Sequence, residues 1–307
     1  MKKTEEFLEM EDGFKLHTVS WIPESPKAHV HLLHGMAEHI ERFDDFARFL
    51  TEQGYAVTGH DQRGHGYTAK RNGTFGFFAE RDGFARVTED ARRVISITNE
   101  RLGHLPFILF GHSMGSYIAR RYIQLYSDGV RKVVLSGTGG SVKYQGHAAK
   151  AYAQAMARAF GKEQRNNLLT AVMFGQFNAQ FPDADAGFGW LSRDEAIVHS
   201  YISDPLCGFI PTNQFYIDLF SGISLIHDMK EVRKIRKGLP VFFASGSRDP
   251  VGDLGRGVFM AARQMADAGV DDVTVYLAEG ARHELINELD KERYYAVIAS
   301  WMDRDLE

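Results

Sequence analysis

The sequence predicts an α/β fold: a mostly parallel, twisted sheet with helices on both faces and a helical insertion. Three observations predict it. Short unbroken apolar runs, as in strands buried on both faces, alternate with segments that carry apolar residues at helical spacing. Each pair reads as a strand followed by a covering helix, which gives a parallel sheet. Residues 139–237 break this rhythm and read as helices only, so the core is assigned to 1–138 and 238–307, with 139–237 as a helical cap.

The elements follow in order. Phe7 to Met10 and Lys15 to Ile22 flank Asp12-Gly13 and read as an opening hairpin. His29 to Leu33 is an early strand, followed by a helix from about Arg42 to Glu52. Tyr55 to Thr58 is the next strand, running into the glycine-rich loop Asp61-Gln62-Arg63-Gly64-His65-Gly66. A helix from about Phe84 to Leu102 precedes the strand Phe107 to Phe110, and Tyr117 to Tyr126 reads as the helix after it. Val130 to Leu135 is a further strand. Within the cap, Ala148 to Phe160 and Leu168 to Phe177 are helical, and Ser192-Arg193-Asp194-Glu195 has the pattern of a capping box that opens another helix. The core resumes with the strand Leu239 to Ala244, a helix near Gly257 to Ala268, the strand Val273 to Leu277 and a last helix from about Leu285 to Met302.

Chemistry is concentrated at three strand ends. Gly111-His112-Ser113-Met114-Gly115 lies between a strand and a helix, the setting in which a serine is held on a sharp turn and projects above the sheet. The bland alternative is an ordinary serine in a glycine-rich turn. A serine hydroxyl needs a base, and the base an orienting acid. In this arrangement the chain order is serine, acid, histidine. Of 13 histidines only His283 lies beyond His227, in the loop after a clear strand. The acid belongs at the end of the strand before it, where Asp249 is the first candidate and Asp253 the alternative. An oxyanion hole needs two backbone N–H groups. Met114, after the nucleophile, supplies one. Met36 supplies the other, with Gly35 expected to adopt an unusual backbone angle that turns the next N–H inward.

These motifs resemble the α/β-hydrolase superfamily, in particular its monoacylglycerol lipase and lysophospholipase-like serine hydrolases. The resemblance rests on His34-Gly35-Met36-Ala37-Glu38-His39, Asp61 to Gly66, Gly111 to Gly115, Tyr201-Ile202-Ser203-Asp204-Pro205-Leu206 and Ser247-Arg248-Asp249-Pro250, and it covers nearly the whole chain. It implies a Ser113–Asp249–His283 triad and an oxyanion hole at Met36 and Met114. It also implies that Glu38, Arg42, His112 and Tyr201 lie near the polar head group of the substrate. Met36 stands where a smaller residue is common in the family, which implies a differently shaped head-group pocket. The expected activity is hydrolysis of carboxylic esters of single-chain acyl lipids through an acyl-enzyme. A thioesterase, amidase or small-ester hydrolase would use the same triad, and a non-catalytic hydrolase fold is the third reading. A serine nucleophile argues against the aspartate chemistry of haloalkane dehalogenases and epoxide hydrolases.

Composition bounds the rest. The formal charge of −4 gives no reason to expect nucleic acid or an anionic membrane as partner. The single cysteine, Cys207, rules out an internal disulfide, fits a reducing compartment and reads as a buried cap residue. With no apolar leader at Met1 to Glu6 and no run long enough to span a bilayer, a cytoplasmic location is expected, with transient membrane-surface contact left to the cap. No cofactor is expected. His29, His31 and His34 suggest a metal at first sight, but alternation along a strand puts only His29 and His31 on one face. His60-Asp61 with His65 likewise lacks a zinc spacing, and the Asp61 to Gly66 loop reads as structural. Of the cap aromatics Phe160, Phe174, Phe177, Phe181, Phe188, Trp190, Phe209, Phe215 and Phe220, most are expected in a helical core and a few along an apolar tunnel above Ser113.

Overall fold

The computed structural model describes residues 1–141, 143–182 and 187–306. Eight strands form one sheet in the order β1-β2-β4-β3-β5-β6-β7-β8. They are β1 (Lys2–Glu9), β2 (Lys15–Ile22), β3 (Ala28–Leu33), β4 (Tyr55–His60), β5 (Phe107–His112), β6 (Lys132–Ser136), β7 (Val241–Gly246) and β8 (Val273–Ala278). β1 pairs with β2 and β2 with β4 antiparallel; every later pairing is parallel. This is the mostly parallel sheet that the sequence predicts.

Side chains that alternate along the central strands divide the core into two layers. Leu33, Leu109, Val133, Leu135, Val241 and Phe243 face one side. There they meet α3 (Gly83–Arg101), α4 (Met114–Tyr126), α8 (Asn213–Ile226) and α10 (Arg256–Asp267). Val30, Leu32, Ile108, Phe110, Val134, Phe242 and Ala244 face the other, against α1 (Asp44–Glu52) and α11 (Lys291–Asp303). The outer strand β1 is mostly exposed and carries Lys2, Lys3, Glu5 and Glu6, charges that discourage edge-to-edge pairing.

Among the described residues, five helices lie between β6 and β7: α5 (Lys143–Phe160), α6 (Asn167–Asn178), α7 (Glu195–Ser203), α8 and α9 (Met229–Val232). They are not all remote from the sheet. Phe215, Tyr216, Leu219, Phe220, Ile223 and Ile226 of α8 belong to the same buried cluster as β5 and β6.

Three expectations change at element boundaries. α1 begins at Asp44, after a separate 3-10 turn at Ile40–Phe43. α7 is capped by Asp194, whose carboxylate accepts from Ala196 N at 3.0 Å. Ser192 instead donates to Asn287 O, so it ties the segment to the core rather than opening the helix. The last helix is split. A 3-10 turn at Leu285–Asn287 ends in extended backbone at Glu288, and α11 starts at Lys291. Glu288 leaves the helical path because its buried carboxylate accepts from Arg282 N at 2.8 Å and pairs with Arg193. The sequence reading also omitted α2 (Gly66–Asn72), α8 and α9.

Candidate active site

Ser113 sits between β5 and α4 with φ +52° and ψ −120°. A non-glycine residue held there stores roughly 1–3 kcal/mol of strain, which its surroundings must hold in place. The flanking glycines make the turn sterically feasible. A Cβ on Gly111 would lie 2.5 Å from Gly115 O, and one on Gly115 would strike Leu33 O. The turn is pinned by Ser113 N donating to Ser136 O at 2.9 Å and Ser116 Oγ donating to Ser113 O at 2.5 Å.

His283 follows β8, and Asp249 follows β7. Their side chains meet, His283 Nδ1 to Asp249 Oδ1 at 3.0 Å, with both residues almost fully buried. Asp249 also accepts from Val251 N at 2.9 Å and Ser245 Oγ at 3.1 Å. Burial works against its charge, but the histidine and these donors outweigh burial and hold the carboxyl below its ordinary range. Asp253, the alternative acid, is exposed and pairs with Arg256 at 3.0 Å instead. For His283, burial opposes the charged ring; Asp249, then Glu284 and Glu38, outweigh it and raise the pKa above the ordinary imidazole value. Gly137 leaves room for the ring, since a Cβ there would lie 2.9 Å from His283 Cε1. Trp190 covers the histidine, ring centroids 5.1 Å apart, and its carbonyl accepts from His283 N at 3.3 Å.

Ser113, His283, Met36 and Met114 line one cavity of about 730 Å³. As the first residue of α4, Met114 has no carbonyl within the helix to receive its N–H. Neither that N–H nor the one of Met36 makes a hydrogen bond among the described residues. The expectation for Gly35 needs correction: its φ lies outside the left-handed region, which Ala37 adopts instead (φ 55°). Gly35 is required for space, because a Cβ there would come within 2.6 Å of Glu38 Oε1 and 3.1 Å of Ser113 Cβ.

The four residues expected at a head group fall close together but differ in availability. Glu38, His112 and Tyr201 line the cavity; Arg42 does not. The Arg42 guanidinium donates to Glu38 Oε2 at 2.6 Å and to both oxygens of Glu284 at 2.7 Å, and it lies over the Tyr201 ring at 4.9 Å. Glu38 also accepts from Gly35 N. In this buried group, burial and the neighbouring Glu284 raise the Glu38 pKa despite Arg42. Glu284 is held down at about 2, where Arg42 outweighs burial. Burial, with the nearby His283, pushes His112 down to about 3, so its ring is neutral at ordinary pH. Glu284 was absent from the sequence reading. Its adjacency to His283 was the available signal; its partner Arg42, 242 residues away, was not visible.

The glycine-rich loop is an internal brace. Asp61 accepts from Ile40 N, Tyr67 N and His17 Nδ1 at 2.8–2.9 Å. Gln62 N donates to His34 Nε2 at 3.0 Å while the other ring nitrogen faces Gly35 O at 2.8 Å, so His34 is neutral with its proton on Nδ1. His29 and His31 do share a face, where both bond the Thr58 hydroxyl at 2.7 Å. Of the cap aromatics, Phe174, Phe177, Trp190 and Phe220 line the cavity. Phe215 is core, Phe160 is exposed, and Phe181 stacks on Arg282. Phe188 packs on Phe174 and Tyr201, and Phe209 on His65 and Phe75. Cys207 is buried beside this group without lining the cavity.

A strained serine on a strand-to-helix turn and an Asp–His pair at the ends of the last two strands define an α/β-hydrolase. The chain belongs to the serine aminopeptidase, S33 family, whose sequence profile matches residues 24–290. It is 26% identical over 285 residues to the monoacylglycerol lipase of Mycolicibacterium smegmatis, covering 92% of this chain and 90% of that protein. It is 27% identical over 303 residues to a putative monoglyceride lipase of Schizosaccharomyces pombe, covering 94% of this chain and 71% of that one. Its fold matches a carboxyl esterase of Bacillus coagulans over the whole of both chains, with a TM-score of 0.93 at 24% identity, a likeness of fold. No helix among the described residues is long and apolar enough to cross a membrane.

Proposed function

We propose that this hydrolase cleaves carboxylic esters of single-chain acyl lipids, of the monoacylglycerol or lysophospholipid kind, through an acyl-enzyme on Ser113. The observation that carries the reading is the Asp249–His283 hydrogen bond, in a cavity that also holds Ser113 on its strained turn. His283 removes the Ser113 proton as the hydroxyl attacks the ester carbonyl. Asp249 fixes the ring with its proton on Nδ1 and stabilises the imidazolium. The N–H groups of Met36 and Met114 receive the oxyanion; water, activated by the same histidine, then releases the acid.

The rest of the cavity supports the substrate class. Leu169, Val172, Met173, Phe174, Phe177, Leu219, Phe220 and Ile223 offer an apolar wall from residues 139–237, which act in this reading as a cap over the strand ends. A cavity of about 730 Å³ is of the size that holds a drug-sized ligand. At the other end Glu38, neutral His112 and Tyr201 present hydrogen-bonding groups to an uncharged polar head such as glycerol. The names of the sequence relatives agree with that head group.

The test is active-site labelling. A fluorophosphonate probe should form one covalent adduct, mapped by peptide mass spectrometry to Ser113. Ser113→Ala should fold, fail to label and lose kcat by several orders of magnitude. Full activity in that variant would remove the proposal.

A further inference from the structure

A second set of ligand-type side chains lies outside the reaction just described. His39 belongs to the loop after β3, and Asp204 and Cys207 to the turn that ends α7. One ligand atom from each, an imidazole nitrogen, a carboxylate oxygen and the thiol sulfur, lie within 4.8 Å of one another. His39 and Cys207 are buried, while Asp204 opens one side to solvent. Backbone contacts hold Asp204 and Cys207 and tie their turn to the loop that carries His39. Asp204 Oδ1 accepts from Leu206 N at 2.8 Å, Cys207 N donates to Asp204 O at 3.0 Å, and Gly208 N donates to Ala37 O at 2.9 Å. That leaves Asp204 Oδ2 for His39 Nε2, at 2.8 Å. Nδ1 of this buried imidazole has no partner among the described residues.

The donor set chooses the ion. Thiolate, imidazole and one carboxylate suit zinc, whereas calcium and magnesium need oxygen ligands. Tetrahedral zinc separates its ligand atoms by about 3.3–3.8 Å, so the ion displaces the 2.8 Å His39–Asp204 hydrogen bond, opening that pair by about 0.5 Å, while separations of up to 4.8 Å close by about 1 Å.

We infer that His39, Asp204 and Cys207 form a site for a thiophilic divalent cation, zinc by preference, whose fourth position is open to water. Binding exchanges the thiol proton for the metal: a zinc–sulfur bond forms, and the proton leaves to solvent. The ion joins the loop that carries Met36 to the end of α7, which carries Tyr201. Its role is structural: it holds in place the two segments that bring Met36 and Tyr201 to the cavity wall, apart from the bond-breaking chemistry.

The test uses reduced, metal-free protein titrated with zinc chloride against a chromogenic chelator. One ion per chain should bind, and cobalt in its place should give a thiolate-to-cobalt charge-transfer band. Cys207→Ser and His39→Gln should weaken zinc binding at least tenfold and abolish the band, while exposed His147→Ala changes neither. Asp204→Asn, half-exposed and able to keep the Oδ1 contact, gives a third variant should a buried substitution fail to fold. Loss of at least tenfold in that variant supports the site. Absence of one-to-one binding, or binding that these variants leave unaltered, overturns it.

Discussion

Ser113, Asp249 and His283 show how far single residues can be read. Sequence order picked out His283, because no other histidine lies late enough, but it left Asp249 and Asp253 open. Both sit at the correct strand end, and only burial separates them: one carboxylate is enclosed with three donors, the other is in solvent. Asp249→Asn should therefore cost on the order of 10⁴ in kcat, because an amide permits the wrong histidine tautomer. Asp253→Asn should cost less than tenfold in the same steady-state assay. The reverse ranking would move the acid to Asp253. A second prediction concerns Glu284. Its negative charge helps raise the His283 pKa, and the base of the proposed mechanism works only when neutral, so activity should fall as pH drops through that pKa. Glu284→Gln removes the charge, lowers the pKa and should shift the acid limb of kcat/KM to lower pH. It also leaves Arg42 with Glu38 alone, so a drop in kcat is expected at every pH. An acid limb that stays fixed or moves upward would contradict this role.

At the scale of elements, the legible features were those with a short-range cause. Apolar runs gave the parallel strands, and Gly-x-Ser-x-Gly gave the turn, because both depend on neighbours in sequence. The turn's tolerance is a direct test. Gly115→Ala would drive a Cβ against the Leu33 carbonyl, which is backbone of β3 and cannot rotate aside. It should destabilise the fold by about 1–3 kcal/mol in urea unfolding and lower activity more than stability alone explains. A variant as stable and active as the parent would show that the close approach is not required. What the sequence hid has long-range causes. The last helix breaks because Glu288 is claimed by Arg193 and by the backbone ahead of His283. Ser192 resembles a helix cap yet serves a carbonyl 95 residues away. Helix α8 escaped notice because its apolar residues bind it to the core on several sides.

Across the whole molecule, the buried histidines carry a consequence for stability. Burial lowers His29, His60 and His65 to about 4, and His31 and His34 well below the ordinary imidazole value of 6.5. The unfolded chain takes up these protons below that value and the folded chain does not. Their contribution is fully present above pH 6.5 and is lost as pH falls toward 4, by ~1.4 kcal/mol per pH unit for each ring. His17 and His283, raised by Asp61 and Asp249 against their burial, oppose the trend. Denaturation midpoints should thus be level near pH 7.5 and drop steeply between pH 6.5 and 5; a flat profile across that range would contradict the neutral-histidine core. The proposed substrate belongs to the same scale, since it rests on an apolar wall from residues 139–237 and a polar end beside Ser113. Each buried methylene contributes about 0.8 kcal/mol, roughly fourfold in kcat/KM, until the cavity is full. The most direct measurement is kcat/KM along a ladder of 1-monoacylglycerols from acetyl to palmitoyl. The account predicts a steep rise to a plateau at about eight to twelve carbons. Fastest turnover of the acetyl ester, with no gain for longer chains, would contradict it.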